Sequence, residues 1–146
     1  MESNLSPADA YSQFLQRQSE AGSPLEAFRR SLDYELDDFQ LRACRSLQDD
    51  HSVLVAAPTG AGKTVVAQFS IALAVARGVR VFYTAPIKAL SNQKFNELVE
   101  AYGADRVGLL TGDTSINRDA QIVVMTTEVL RNMIYSGTDL SELGFV

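Results

Sequence analysis

The chain has 146 residues, of which 46% are hydrophobic and 21% are charged. This balance is typical of a globular protein, and the length suits one domain with a buried hydrophobic core. The formal charge of −5 excludes a protein that binds nucleic acid through bulk positive charge, so any such site has to be local.

The compartment expected from the sequence is the cytoplasm. The single cysteine, Cys44, cannot form an internal disulfide, which fits a reducing environment. The first ten residues lack the basic and apolar stretches of a signal peptide. The longest apolar stretch, residues 65–76, is shorter than the roughly 20 residues that span a bilayer, so no membrane partner is expected.

Residues 1–33 are predicted to form an N-terminal helical extension. Ser6-Pro7 and Ser23-Pro24 each provide a serine N-cap followed by proline at the first helical position, and an acidic residue follows two positions later. The Glu-Ala-Gly sequence at 20–22 is typical of a turn between two helices. The domain itself is predicted to span residues 34–146.

Short β-branched or aromatic runs alternate with helical stretches in the predicted domain. The runs are residues 52–56, 79–84, 107–110 and 122–126. The helical stretches are residues 38–48, 64–77, 89–102 and 128–135, and glycine follows at or near the end of the last three. This alternation predicts an α/β fold, a parallel sheet with helices on both faces.

A phosphate-binding loop is predicted between the first run and the helix at 64–77. Glycines in such a loop let backbone N–H groups converge on an anion, and the helix start adds further N–H groups and the positive end of its dipole. Lys63 is expected to reach the β- and γ-phosphates, and the Thr64 hydroxyl is expected to bind Mg²⁺. The predicted nucleotide-binding residues of the loop are Pro58, Thr59, Gly60, Ala61, Gly62, Lys63 and Thr64. The alternative is a glycine-rich turn with an exposed lysine.

Two residues upstream are candidates for binding the adenine base. The Gln40 carboxamide can both donate to and accept from the adenine edge, and the Tyr34 ring can stack on the base. This arrangement would favour ATP over GTP. The alternative is that Gln40 is only a solvated neighbour of core-facing residues on a helix.

Three further segments each follow a predicted strand. They are residues 84–94 (TAPIKALSNQK), 111–113 (TGD) and 125–131 (MTTEVLR). Ligands of such folds bind where the strands end, and a helix start with nearby lysines can hold a phosphate. Helix capping and solvated lysines are the alternative interpretation.

The order and wording of these five segments resemble superkiller-type DExH RNA helicases of superfamily two, such as the HelY-like proteins of actinobacteria, over about residues 34–146. Ala57 stands where the general phosphate-loop pattern has glycine, as in superfamily-two helicases. The resemblance implies the first RecA-like domain of an ATP-dependent RNA helicase, with ATP and Mg²⁺ as ligands, Lys63 and Thr64 as catalytic residues and single-stranded RNA as partner. The implied nucleic-acid contacts are Pro86, Lys88, Ala89, Leu90, Gln93, Thr111, Gly112, Thr126, Thr127 and Arg131.

In this family the next strand carries an Asp-Glu-x-His motif, and such a strand would begin at residues 143–146, with the motif after Val146. These residues alone are therefore expected to bind nucleotide weakly and not to hydrolyse it. An open sheet edge and poor solubility are expected as well. Two alternatives stay open: a non-catalytic module that binds nucleotide or nucleic acid, and a DNA helicase of the same superfamily. A P-loop kinase would leave the Lys88 and Thr126-Thr127 segments unexplained.

Overall fold

The computed structural model describes residues 22–146, so the helix predicted to begin at Ser6 lies outside the described part. The described chain forms two compact units. The first unit ends at Leu73, and the second runs from Ala74 to Val146. Each unit has its own buried residues and its own candidate site.

The described part of the first unit is helical. From residue 22 onward its helices are α1 (Pro24–Ser31), α2 (Asp38–Gln48) and α3 (Thr64–Arg77), the last of which continues into the second unit. The predicted serine cap of α1 is confirmed, because the Ser23 hydroxyl accepts a hydrogen bond of 3.2 Å from the Glu26 amide. Within residues 22–146, no helix has the length and apolarity to cross a membrane.

Side chains from all three helices form the core of the first unit. Leu25, Cys44 and Phe69 are almost completely buried, and the Phe28 and Phe69 rings lie 5.4 Å apart in a tilted arrangement. The Leu25 amide also donates to Oε1 of Gln48, which ties α1 to the end of α2. The predicted extension helix α1 therefore packs against the helix that follows it.

The strand predicted at residues 52–56 is wrong. These residues precede the phosphate loop but pair with no strand in the described chain, and Leu54 is 94% exposed. Their burial alternates, with Val53 and Val55 partly buried. This alternation is typical of a half-buried strand, but a strand also needs a neighbour to accept and donate its backbone hydrogen bonds, and the local residue pattern does not supply one.

The second unit contains a mixed five-stranded sheet in the order β3-β2-β4-β1-β5. Its elements are β1 (Arg80–Ala85), α4 (Lys88–Tyr102), a 3₁₀ turn (Ala104–Arg106), β2 (Val107–Leu110), β3 (Ser115–Ile116), β4 (Ile122–Thr126), α5 (Thr127–Tyr135) and β5 (Leu143–Phe145). All pairs are parallel except the antiparallel β2–β3 pair at one edge. The predicted runs 79–84, 107–110 and 122–126 correspond to β1, β2 and β4. Strand β5 lies where a further strand was expected to begin, at residues 143–146, whereas β3 was not predicted.

Helices cover both faces of this sheet, as the sequence predicted. On one face, Val123 and Met125 of β4 are buried in a cluster with Met133 of α5. Side chains alternate along a strand, so Ile122 and Val124 point to the opposite face, where they are also fully buried. Helix α4 packs against β1, β2 and β4 as well.

The edge hairpin depends on one close backbone approach. A Cβ added to Gly108 in β2 would lie 2.2 Å from the carbonyl oxygen of Asn117. Asn117 has a φ of 44°, and its side-chain Nδ2 donates to the Asp105 carbonyl at 3.1 Å. Glycine at position 108 therefore allows residues 115–117 to lie beside β2.

Candidate nucleotide and nucleic-acid sites

The predicted phosphate loop has the backbone shape that glycine permits. Gly60 and Gly62 have φ angles of 83° and 84°, a region that other residues rarely adopt. The Ala61 amide donates to the Pro58 carbonyl at 3.1 Å, which closes a tight turn, and α3 begins at Thr64. The loop thus delivers the chain into the start of a 14-residue helix, where unpaired N–H groups and the helix dipole favour an anion.

The chemically important side chains of this loop are accessible. Lys63 and Thr64 are both exposed, as are Pro58 and Thr59. Within the described residues, the Lys63 ammonium has no ion pair. A cation and a hydroxyl therefore stand next to each other at the helix start, available to a ligand.

These residue types suit a magnesium-bound polyphosphate. Within residues 22–146 there is no group of three or more histidine, cysteine or acidic residues that could hold a metal ion alone. Mg²⁺ usually keeps several waters and binds through one or two carboxylates together with substrate phosphates. The Thr64 hydroxyl could therefore supply only part of the protein contribution to such a metal, and most ligands would come from the nucleotide and water.

Gln40 is attached to the phosphate loop rather than solvated. Its side chain is 5% exposed, its Oε1 accepts from the Asp37 amide at 2.8 Å, and its Nε2 donates to the Gly62 carbonyl at 3.0 Å. A Cβ on Gly62 would lie 2.5 Å from that Nε2 atom. The glycine at position 62 therefore serves both the turn and the contact with Gln40.

Tyr34 lies in the same unit, 51% exposed, on the wall of a cavity of about 180 Å³. Arg29 and Arg30 of α1 line this cavity too, and both form ion pairs with Glu26. Helix α1, assigned from the sequence to an extension, thus contributes side chains beside the predicted base-stacking residue. The sequence carried no signal for this contact.

In the second unit, the three predicted nucleic-acid segments follow β1, β2 and β4. These strands are parallel neighbours, so their carboxyl ends lie at the same edge of the sheet. The Lys88 ammonium at the start of α4 contacts the Asp113 carboxylate at 2.5 Å, which joins the first of these segments to the second. Asp113 also accepts from the Thr111 hydroxyl at 3.0 Å.

These contacts define the electrostatics of the edge. The hydrogen bonds from Lys88 and Thr111 hold the pKa of the Asp113 carboxyl below its ordinary value. The other lysine of the segment, Lys94, is mostly buried, pairs with Glu97 at 2.6 Å and lies over the Tyr83 ring. Lys88 is therefore the more accessible of the two cations.

The helix starts at this edge have no side-chain caps. Ile87 occupies the N-cap position of α4, and Thr126 occupies that of α5 without a capping hydrogen bond from its side chain. Thr127 is exposed at the first position of α5, and Arg131 is exposed one turn later. Capping therefore does not account for the two threonines in this structure.

A cavity of about 560 Å³ lies between the loop after β2 and helix α5. Its polar lining includes Thr111, Asp113, Arg118, Asn132, Ser136 and Thr138. Thr126, Thr127 and Arg131 do not line it. Arg118, Asn132, Ser136 and Thr138 were not predicted from the sequence, because they belong to no motif.

The remaining predicted contacts lie on or near α4. Pro86, Ala89 and Gln93 are exposed, and Leu90 is 46% exposed. Gly112 lies exposed between Thr111 and Asp113, with open space where a Cβ would be. Most of the predicted nucleic-acid residues are therefore accessible at the ends of β1, β2 and β4, whereas Thr111 is buried at 8% exposure and Thr126 is only partly exposed.

A phosphate loop that leads into a helix and a mostly parallel α/β sheet are features of P-loop nucleotide-binding proteins. The DEAD/DEAH box helicase family matches residues 37–146, and the chain belongs to this family.

Individual relatives agree with the assignment. The chain is 60% identical over 112 residues to the probable helicase HelY of Mycobacterium leprae, covering 77% of this chain and 12% of HelY. It is 52% identical over 111 residues to the antiviral helicase SKI2 of Saccharomyces cerevisiae, covering 76% of this chain and 9% of SKI2. The chain therefore spans about a tenth of the length of these relatives.

A solved structure supports the fold. A hypothetical ATP-dependent RNA helicase from Sulfolobus tokodaii superposes with a TM-score of 0.59 at 23% sequence identity, covering 82% of this chain and 38% of that one. The RecA-like α/β fold expected from the sequence is confirmed by this likeness.

Proposed function

We propose that these residues are the ATP-binding part of an ATP-dependent RNA helicase. The observation that carries the proposal is the exposed Lys63-Thr64 pair at the start of α3, reached through glycines with positive φ. In this proposal ATP·Mg²⁺ binds at residues 57–64, with the phosphates on the loop amides and on Lys63. The bound metal would neutralise charge on the phosphates, and the Thr64 hydroxyl would be one of its ligands.

The base would bind near Tyr34, with Gln40 linking this segment to the loop. Both polar side-chain atoms of Gln40 already form hydrogen bonds with the backbone. Its Oε1 accepts from the Asp37 amide, near Tyr34, and its Nε2 donates to the Gly62 carbonyl. A bidentate adenine contact would require Gln40 to share these bonds, so nucleotide binding and loop position would be coupled. ATP over GTP is the expected preference.

Single-stranded RNA would lie along the carboxyl edge of β1, β2 and β4. Uncapped helix starts, hydroxyls and a few cations are the groups that contact a phosphate backbone without reading bases. The Lys88, Thr126, Thr127 and Arg131 side chains would supply them here, whereas the buried Thr111 hydroxyl, which donates to Asp113, would have to be uncovered first. The relatives named as helicases favour a motor over a simple binding module, and the cytoplasm is the proposed compartment.

The test is nucleic-acid-stimulated ATP hydrolysis by the full-length protein, meaning the natural reading frame that contains these residues. We expect hydrolysis that rises with single-stranded RNA and is lost in the Lys63→Ala variant. Arg42→Ala, an exposed change on α2 outside the proposed sites, is the matched control and should hydrolyse ATP like the wild type.

Each other outcome selects an alternative. Stimulation by single-stranded DNA but not RNA would support the DNA helicase. Binding of nucleotide without hydrolysis in the wild type would support the non-catalytic module.

A further inference from the structure

Asp113 stands where it should not help nucleic-acid binding. It lies in the loop after β2, at the edge where the proposed function requires phosphates to dock, and it is exposed. A carboxylate at this position repels a phosphate backbone. Its presence beside Lys88 therefore needs an explanation beyond the binding of RNA.

The geometry of Asp113 shows that its two oxygens have different partners. One oxygen accepts hydrogen bonds from the Thr111 and Thr114 hydroxyls, at 3.0 and 3.4 Å. The other oxygen takes the Lys88 ammonium, 25 residues away in sequence. The carboxylate is thus oriented by its own loop and presented to the lysine of another segment.

The ion pair between Lys88 and Asp113 is exposed to solvent, and this exposure makes it weak. The Lys88 and Asp113 side chains are 49% and 69% exposed. Solvent-exposed ion pairs are weak and are screened by salt. A phosphate can therefore displace Asp113 from Lys88 without a large barrier.

We propose that Asp113 is a built-in counter-ion that competes with RNA phosphate for Lys88, so that Asp113 limits the affinity of the site for RNA. This inference rests on the proposed function, since it requires that Lys88 binds nucleic acid. In the free protein Lys88 is neutralised by Asp113. In the complex Lys88 turns to a phosphate, while the Asp113 oxygen that holds Thr111 keeps the loop in place.

The alternative is that Asp113 helps binding by holding Lys88 ready. The two ideas predict opposite effects of Asp113→Asn, a change that keeps the shape of the side chain and an oxygen to accept from Thr111. Competition predicts tighter binding, because the lysine loses its rival anion. Positioning for binding predicts weaker binding.

The experiment measures the affinity of the full-length protein for a fluorescent single-stranded oligouridylate over a series of NaCl concentrations. The proteins are the wild type, Asp113→Asn, Lys88→Ala, the double variant and Asp119→Asn. Asp119 is exposed in the same connection, does not line the cavity described above and loses the same formal charge, so it controls for general electrostatics. Circular dichroism melting checks that every variant is folded.

We expect Asp113→Asn to bind about two- to five-fold more tightly at low salt, the range that an exposed ion pair can contribute. The plot of log affinity against log salt should steepen by up to about 0.7, because one more uncompensated cation meets the single strand. In the Lys88→Ala background, Asp113→Asn should raise the affinity for the oligouridylate no more than Asp119→Asn raises it in the otherwise wild-type protein.

Equal or weaker binding by Asp113→Asn would overturn the inference, as would the same gain in the Lys88→Ala background. If Lys88→Ala weakens binding while Asp113→Asn does not strengthen it, only the inference fails. If the wild type does not bind, or Lys88→Ala has no effect, the proposed nucleic-acid site fails and the inference fails with it.

Discussion

The two units differ in where their backbone and side chains find partners. In the second unit, β2 and β4 are buried along their whole length or nearly so, and every strand belongs to one sheet. In the first unit, the segment before the phosphate loop pairs with nothing in the described chain, and the loop is attached through Gln40. The sheet is therefore held by continuous backbone pairing and burial, whereas the proposed nucleotide site relies on a few specific contacts.

The largest expected effect contrasts Ile122 with Leu54. Ile122→Ala removes a fully buried side chain from β4 and should cost about 2–5 kcal/mol of stability. Leu54→Ala changes a side chain that is 94% exposed and should alter stability by less than about 0.5 kcal/mol. Urea denaturation of the 146-residue chain, followed by circular dichroism, measures both. Equal costs would mean that residues 52–56 are as well packed as the sheet.

A somewhat smaller effect is expected at the edge hairpin of the second unit. Gly108→Ala would bring a Cβ to 2.2 Å from a backbone oxygen of Asn117, and such overpacking costs about 1–3 kcal/mol. Gly112→Ala is the matched control, because nothing lies within 4 Å of its added Cβ. Thermal melting of both variants decides the matter, and a Gly108→Ala chain as stable as the control would show that the hairpin can move aside.

In the first unit, Gln40→Ala should have a moderate effect on stability and a clear effect on nucleotide binding. The change removes the hydrogen bonds to the Asp37 amide and the Gly62 carbonyl, which contribute about 1 kcal/mol each. Anisotropy of a fluorescent ATP analogue reports the affinity, with Gln68→Ala, an exposed change on α3, as the control. Similar affinities for the two variants would mean that Gln40 does not hold the loop.

The smallest expected effect on stability at neutral pH comes from ionisation of the Cys44 thiol, which lies in the core of the first unit. Burial raises the pKa of its thiol from an ordinary value of 9.0 to about 11, so the folded chain keeps it protonated and unreactive. The stabilisation that depends on the neutral thiol is complete below pH 9.0 and is lost as the pH rises from there towards about 11.

Alkylation by iodoacetamide at neutral pH, followed by mass spectrometry, measures how often this core opens. A Cys44→Ser, Gln68→Cys double variant carries the same thiol at an exposed position and should react quickly. If Cys44 in the wild type reacts as fast as that control, the helical core of the first unit is not closed.

The elements that sequence reasoning predicted well are those whose signals are local. The bounds of α2 and α3 match the predicted stretches, because capping residues and apolar spacing mark a helix within its own residues. Strands β1, β2 and β4 were found within a residue because short β-branched runs buried on both faces are distinctive.

The elements that were missed depend on distant partners. Strand β3 has two residues, too few for a periodic pattern. Strand β5 has three, and it was expected only from the family resemblance. Residues 52–56 have the residue pattern of a strand, but they form no backbone hydrogen bonds with a neighbouring strand in the described chain. In the sites, the contacts from Gln40 to Gly62 and from Lys88 to Asp113 join residues 22 and 25 positions apart, and no local motif encodes them.

The most direct test of the helicase assignment is strand displacement by the full-length protein. RNA duplexes with a single-stranded overhang at either end are incubated with ATP, with no nucleotide, or with ATP and the Lys63→Ala variant. The account predicts displacement of at least one duplex that requires both ATP and an intact Lys63. ATP hydrolysis that depends on Lys63 without displacement of either duplex would contradict it.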